Sequence, residues 1–183
     1  MPLSDPAPRR HLHTRDISLQ GYQRADGLFD IEAEITDTKT YDFNTDDRIV
    51  ATGTPLHHMR ARITLNEDML ITRAEAVTEA GPYSICGGGA LTFDLLEGLT
   101  IQAGFLKAAN QRLGGAVGCT HLRELLQQMA TVAFQTTFPV RARREKSGAV
   151  LAPRLLDTCY AYAADGPVVE KRYPAYFTGT PAS

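Results

Sequence analysis

The stretch Gly118-Cys119-Thr120-His121-Leu122 carries reactive side chains at a place that favours their use. Glycines precede it and an amphipathic stretch follows, so Cys119 falls at a helix start. Unpaired N–H groups and the positive end of the helix dipole there favour thiolate over thiol. Such a thiolate suits a nucleophile or a metal ligand, and His121 suits a ligand or a proton exchanger. The plain alternative is a small buried cysteine capping a helix beside a partly exposed histidine. A second thiol, in Pro82-Tyr83-Ser84-Ile85-Cys86-Gly87-Gly88-Gly89, lies between a strand and a helix start. The glycine N–H groups can form an anion-binding concavity, or the run is simply a flexible turn. Leu56-His57-His58-Met59 precedes a strong strand. Neighbours on an extended chain point to opposite faces, so at most one of these histidines faces a shared site. Asp37-Thr38-Lys39-Thr40-Tyr41 closes a strand with an acid, a cation and a phenol. It reads either as a polar substrate contact or as a salt-bridged strand end. Asp157-Thr158-Cys159-Tyr160 holds a further thiol, read as core.

We assign His58, Cys86, Cys119 and His121 as candidate metal ligands. Sulfur and nitrogen donors together suit zinc or iron, with an open position for water or substrate. Asp37, Lys39, Tyr41 and His121 are the candidate catalytic residues, for proton transfer and substrate orientation. His57 and Cys159 are left open as further members. The sequence contains no Walker loop, G-x-G-x-x-G, G-x-S-x-G, H-E-x-x-H or EF-hand loop. No nucleotide cofactor is therefore expected, and the common serine-hydrolase and zincin designs are disfavoured.

These residues need elements to hold them. Ile17 and Leu19 alternate with polar neighbours, a short strand that Gly21 weakens beyond that point. Phe29, Ile31, Ala33 and Ile35 fall on one face of a second strand, joined to the first by an Asp26-Gly27 turn. Met59, Ala61, Ile63 and Leu65 define a third, and Asn66-Glu67-Asp68 turns the chain into a return strand over 69–78. An antiparallel meander of three to four strands follows, since short turns join neighbours. Helices are expected from Ala90 to Gly98, from Ala103 to Leu113 and from Thr120 to Thr137, the last stopped by Pro139. Its stripe is Leu122, Leu125, Leu126, Met129 and Ala133. Arg141, Arg143, Arg144 and Lys146 read as a solvated basic loop, and Val150 to Phe177 as a helix or strand pair.

The fold class is α+β, an antiparallel sheet against a helical layer. Residues 1–10 form a disordered lead-in, 11–140 one domain, and 141–183 the basic loop and an arm packing on it. The 183 residues carry 19 basic and 21 acidic side chains, a net charge of −2. That balance argues against a broad cationic surface for nucleic acid or a polybasic membrane anchor. No apolar run approaches a membrane span, and no signal-peptide core opens the chain, so the cytoplasm is the expected compartment. Three cysteines are too few for a disulfide framework.

From Gly53 to about Phe138 the chain resembles the iron–sulfur scaffold fold of the IscU and NifU type. The order Gly53-Thr54-Pro55, Met59-Arg60-Ala61-Arg62-Ile63, a return strand ending in Cys86, Leu96-Glu97-Gly98-Leu99-Thr100 and Cys119-Thr120-His121-Leu122 carries the likeness. Three cysteines hold the cluster in that family. Cys86 and Cys119 match two, and His57-His58 stand near the place of the first. Leu113-Gly114-Gly115-Ala116-Val117 replaces the proline-rich segment that precedes the third. Over nearly its whole length the chain also resembles the bacterial family called domain of unknown function 2889. Gly21-Tyr22, Asp37-Thr38-Lys39, His58-Met59, Pro82-Tyr83, Gly118-Cys119-Thr120-His121-Leu122 and Asp157-Thr158-Cys159 carry that likeness. It implies an association with aromatic-acid and acyl-CoA catabolism. The expected function is an enzyme, a lyase or hydrolase, acting on a small organic substrate through a Cys/His site, with a homo-oligomer allowed for. A non-catalytic ligand-binding protein and a metal or iron–sulfur carrier are the alternatives.

Overall fold

The computed structural model describes residues 2–146 and 155–180. The described residues fall into two compact units divided after Val140. In the first, an antiparallel sheet runs in the order β1-β2-β5-β6: β1 His13–Gln23, β2 Phe29–Lys39, β5 Pro55–Leu65 and β6 Ile71–Ala80. The expected meander is present, and a small hairpin, β3 Phe43–Asn44 with β4 Ile49–Val50, interrupts it between β2 and β5. The β1–β2 turn forms as the Asp26-Gly27 pair dictates. Gly27 takes a φ of +86°, where a side chain would be strained, and Asp26 Oδ1 accepts the Leu28 amide at 3.3 Å.

Alternation sets the two faces of the sheet. Phe29, Ile31, Ala33 and Ile35 of β2 and Met59, Ala61, Ile63 and Leu65 of β5 are buried, paired across the ladder. The helical layer covers this face: α1 Gly88–Leu91, α2 Phe105–Leu113 and α3 Thr120–Lys146. Leu122, Leu125, Leu126, Met129 and Ala133 of α3 pack into the core as the spacing requires. The opposite face is a lattice of charged pairs. Arg62 lies between Glu32 and Glu75, while Arg60 pairs with Glu79.

Several expectations are corrected. β1 does not weaken at Gly21 but continues to Gln23, because its pairing with β2 runs on through Gly21, Tyr22 and Gln23; the glycine answers the close approach of α3. A Cβ at Gly21 would lie 1.9 Å from Thr136 Oγ1. The helix expected over 90–98 is broken into α1 and a 3-10 turn at Phe93–Leu96. Pro139 does not end α3. It sits on the exposed side, four residues after an exposed Gln135 whose carbonyl loses its helical donor and can be hydrated. Arg141 and Arg143 are therefore helical rather than part of a basic loop, and the helix extends through Lys146. Residues 147–154, the first part of the expected C-terminal element among them, lie outside the described residues.

In the second unit, 3-10 turns at Tyr160–Tyr162 and Pro174–Tyr176 flank α4, Pro167–Arg172. No strand pair forms there among the described residues. Cys159, read from the sequence as core, is exposed.

Candidate functional site

The core-facing row of the sheet changes character at one end. Two residues beyond Ile35 the same alternation delivers Asp37. Two residues before Met59 it delivers His57, and two before Ile17 it delivers Arg15. These three lie in one cross-strand row, Arg15 opposite Asp37 and Asp37 opposite His57. The start of α3 reaches this end of the sheet and contributes His121.

Asp37 is the hub, with a side chain only 1% exposed. Arg15 grips it as a fork, Nε donating to Oδ1 and Nη2 to Oδ2, each at 2.8 Å. His57 Nδ1 stands 3.0 Å from Oδ2, His13 Nε2 stands 3.2 Å from Oδ1, and His121 Nε2 stands 3.9 Å from Oδ2. The third guanidinium nitrogen, Nη1, donates to Glu124 on the first turns of α3 at 2.8 Å. The His57 and His121 rings are in contact, tilted by 36° with centroids 3.9 Å apart. Beside them Cys119 Sγ lies 3.9 Å from His121 Nδ1 and 3.7 Å from Met59 Sδ.

The electrostatics follow from this packing. Burial is the largest single influence on Asp37 and pushes its pKa up. The Arg15 hydrogen bonds and charge, with His57 and His13, outweigh it and hold the carboxyl below its ordinary range. Burial lowers the pKa of His57, and His121 adds to that. Burial likewise lowers His121, helped by the Arg15 charge. The site at neutral pH is therefore an ionised carboxylate facing two neutral imidazoles, each with a lone pair to give. Asp37, His57 and His121 each offer one donor atom, and the three lie within 4.8 Å of one another. Among the described residues this is the one group of three or more such side chains so placed.

The candidates from sequence divide accordingly. Asp37 and His121 meet in the group, and Cys119 touches its edge. His58 is on the opposite face, its Nε2 2.6 Å from Glu34 and its Nδ1 3.0 Å from Glu79. Cys86 lies in the 3-10 turn Ser84–Gly87 against Gly81. That turn is fixed by Asp47, whose Oδ2 accepts the Ser84 amide at 2.7 Å. The Lys39 ammonium lies over the Tyr41 and Phe43 rings, 5.7 Å from each centroid. Cys86, His58, Lys39 and Tyr41 are thus outside the group. Sequence reasoning passed over Arg15, His13 and Glu124 and left His57 open. The signal for Arg15 and His57 was present, since both share parity with the apolar residues of their strands.

No curated protein and no solved structure matches the chain. A family profile matches residues 13–135. That span opens on the first residue of β1 and takes in every side chain of the group, from His13 to Glu124. With two thirds of its length matched, the chain belongs to the family described as "Protein of unknown function (DUF2889)".

Proposed function

We propose that this protein is a small metal-dependent enzyme, a hydrolase or lyase, acting on a small organic substrate at a centre held by Asp37, His57 and His121. One observation carries the reading. His121 is half-buried, directed at Asp37, and among the described residues neither ring nitrogen has a partner closer than 3.9 Å. For Nε2, facing Asp37 Oδ2, that is too long for an ordinary hydrogen bond, and Nδ1 has only a weak contact with the Cys119 sulfur. The neighbouring donors suit a cation in the gap, because metal bonds of about 2.0–2.2 Å bring ligand atoms to just such separations. Two imidazoles and a carboxylate suit zinc or iron. A bound cation of this kind polarises a carbonyl or lowers the pKa of a bound water. The chain's own residues supply the rest. Burial keeps both imidazoles neutral, Arg15 keeps Asp37 ionised, and Cys119 lines one side of His121. An iron–sulfur carrier would draw on thiolates, and the group holds none.

Elemental analysis of protein purified without chelator tests this. About one equivalent of zinc or iron per chain is expected, retained in His58→Ala and lost in His57→Ala and His121→Ala. Protein that is metal-free and takes up neither added ion sinks the reading.

A second reading has its own observation. Cys119 Sγ, His121 and Asp37 form a line with gaps of 3.9 Å on both sides of the imidazole. That is the order of a nucleophilic thiol, its base and an orienting carboxylate, and such gaps are often loose without substrate. Turnover by metal-free protein, abolished by Cys119→Ser, would favour it.

A further inference from the structure

We propose that Arg15 is the positioning residue of this centre. It fixes Asp37 as a one-oxygen ligand and tethers the helix that carries His121 to that oxygen. The inference rests on the metal reading above and deepens it.

The two oxygens of Asp37 are not equivalent. Oδ1 faces Arg15 Nε at 2.8 Å and His13 Nε2 at 3.2 Å. Oδ2 faces Arg15 Nη2 at 2.8 Å, and it is also the oxygen nearest His57, at 3.0 Å, and His121, at 3.9 Å. A carboxylate has about four lone-pair sites across two oxygens. With Oδ1 turned to Arg15 and His13, a cation shared with both imidazoles has Oδ2 as its carboxylate donor. The planar guanidinium sets the plane of the carboxylate, which a point-like ammonium does not do. The remaining end of the fork holds Glu124, three residues after His121 on α3. One side chain on β1 therefore sets both the direction of the β2 ligand and the height of the α3 ligand. Its charge opposes a cation at the two imidazoles, and the two carboxylates that flank it at 2.8 Å each offset that repulsion. One-oxygen ligation with two imidazoles favours a small transition cation over calcium, which takes six to eight oxygens and often both of a carboxylate.

Cobalt(II) added to chelator-treated full-length protein supplies the test, because its visible bands report coordination as well as occupancy. The wild type is expected to bind with bands insensitive to excess calcium. Arg15→Lys keeps the charge and loses the fork. It is expected to bind cobalt about 10- to 100-fold more weakly, with altered bands. Were the role one of charge alone, Arg15→Lys would match the wild type. Wild-type affinity and bands in Arg15→Lys overturn the proposal, even if the variant melts at a lower temperature, because the role would then be structural. Glu124→Gln, at a half-exposed side chain, weakens only the tether. It guards against Arg15→Lys failing to fold, and unchanged cobalt affinity in it overturns the tether. A wild type that takes no cobalt, zinc or iron fells the centre itself, and this proposal with it. A wild type that binds cobalt while Arg15→Lys matches it fells this proposal alone.

Discussion

At the scale of single residues, two adjacent histidines separate by one strand position into different chemistry. His57 shares a face with Met59 and the core and bonds Asp37, whereas His58 faces the charged lattice with Glu34 and Glu79. The expected consequence is a sharp contrast between neighbours. His58→Ala removes partly exposed contacts with Glu34 and Glu79 and is expected to change stability by less than about 1 kcal/mol. Its metal content should equal that of the wild type. His57→Ala leaves one lone pair of a buried carboxylate unmet and removes a ligand, so it should lose the metal and destabilise by about 1–3 kcal/mol. Denaturant titration together with elemental analysis reads both effects. Equal behaviour of the two variants would place the site elsewhere. The rule that separates them, alternate faces on a strand, was legible in the sequence. What was not legible was how far the strands extend. Asp37 and His57 belong to the core-facing row only if β2 runs past Thr36 and β5 begins before His58, and pairing between strands decides that.

At the scale of elements, the sequence displays the apolar rows of β2 and β5, the turn at Asp26-Gly27 and the stripe of α3, and these are as observed. It misleads at Gly21 and Pro139, where a general rule meets a particular neighbour. Gly21 reads as a strand breaker, yet it is the point where β1 and α3 touch. A Cβ there would lie 1.9 Å from Thr136 Oγ1 and 2.9 Å from Thr136 Cβ. The Thr136 hydroxyl is committed to the Val132 carbonyl at 2.8 Å, so rotating it away breaks a bond and still leaves the second clash. Gly21→Ala should therefore destabilise by about 1–3 kcal/mol, the usual range for overpacking. Combining it with Thr136→Ala should recover part of that loss, because the two changes share one contact and are not additive. Thermal melts of the two single variants and the double variant check this. Simple additivity would show that β1 and α3 do not meet there. The arrangement also bears on the site, since β1 carries Arg15 and α3 carries His121, and their contact at Gly21 holds both elements in register.

At the scale of the whole molecule, the cluster makes stability depend on pH in one direction. Burial and its neighbours lower the pKa of His57 and of His121 in the folded state. The Arg15 fork, offsetting burial, holds Asp37 below its ordinary value. Each group therefore binds protons more weakly folded than unfolded, so the unfolded chain takes up more protons as pH falls. The stabilisation is complete above the unfolded pKa values and is lost as pH descends toward the folded ones. For the histidines that loss begins as pH drops through 6.5, and for Asp37 as it drops through 3.8. Chelator-treated protein should thus lose stability in two stages on acidification, the first well above the range where carboxylates titrate. Denaturant melts across the pH range read both stages. Replacing both His57 and His121 by Gln should flatten the first stage and leave the second. A first stage that persists in the double variant would assign it to other groups. A wild type equally stable at about pH 7 and pH 5 would mean that the two imidazoles are not held neutral by the fold. Added zinc should steepen the acid loss, since protons and the cation compete for the same lone pairs. The difference between the melts with and without metal separates the cost of charging buried histidines from the cost of losing the ion they hold.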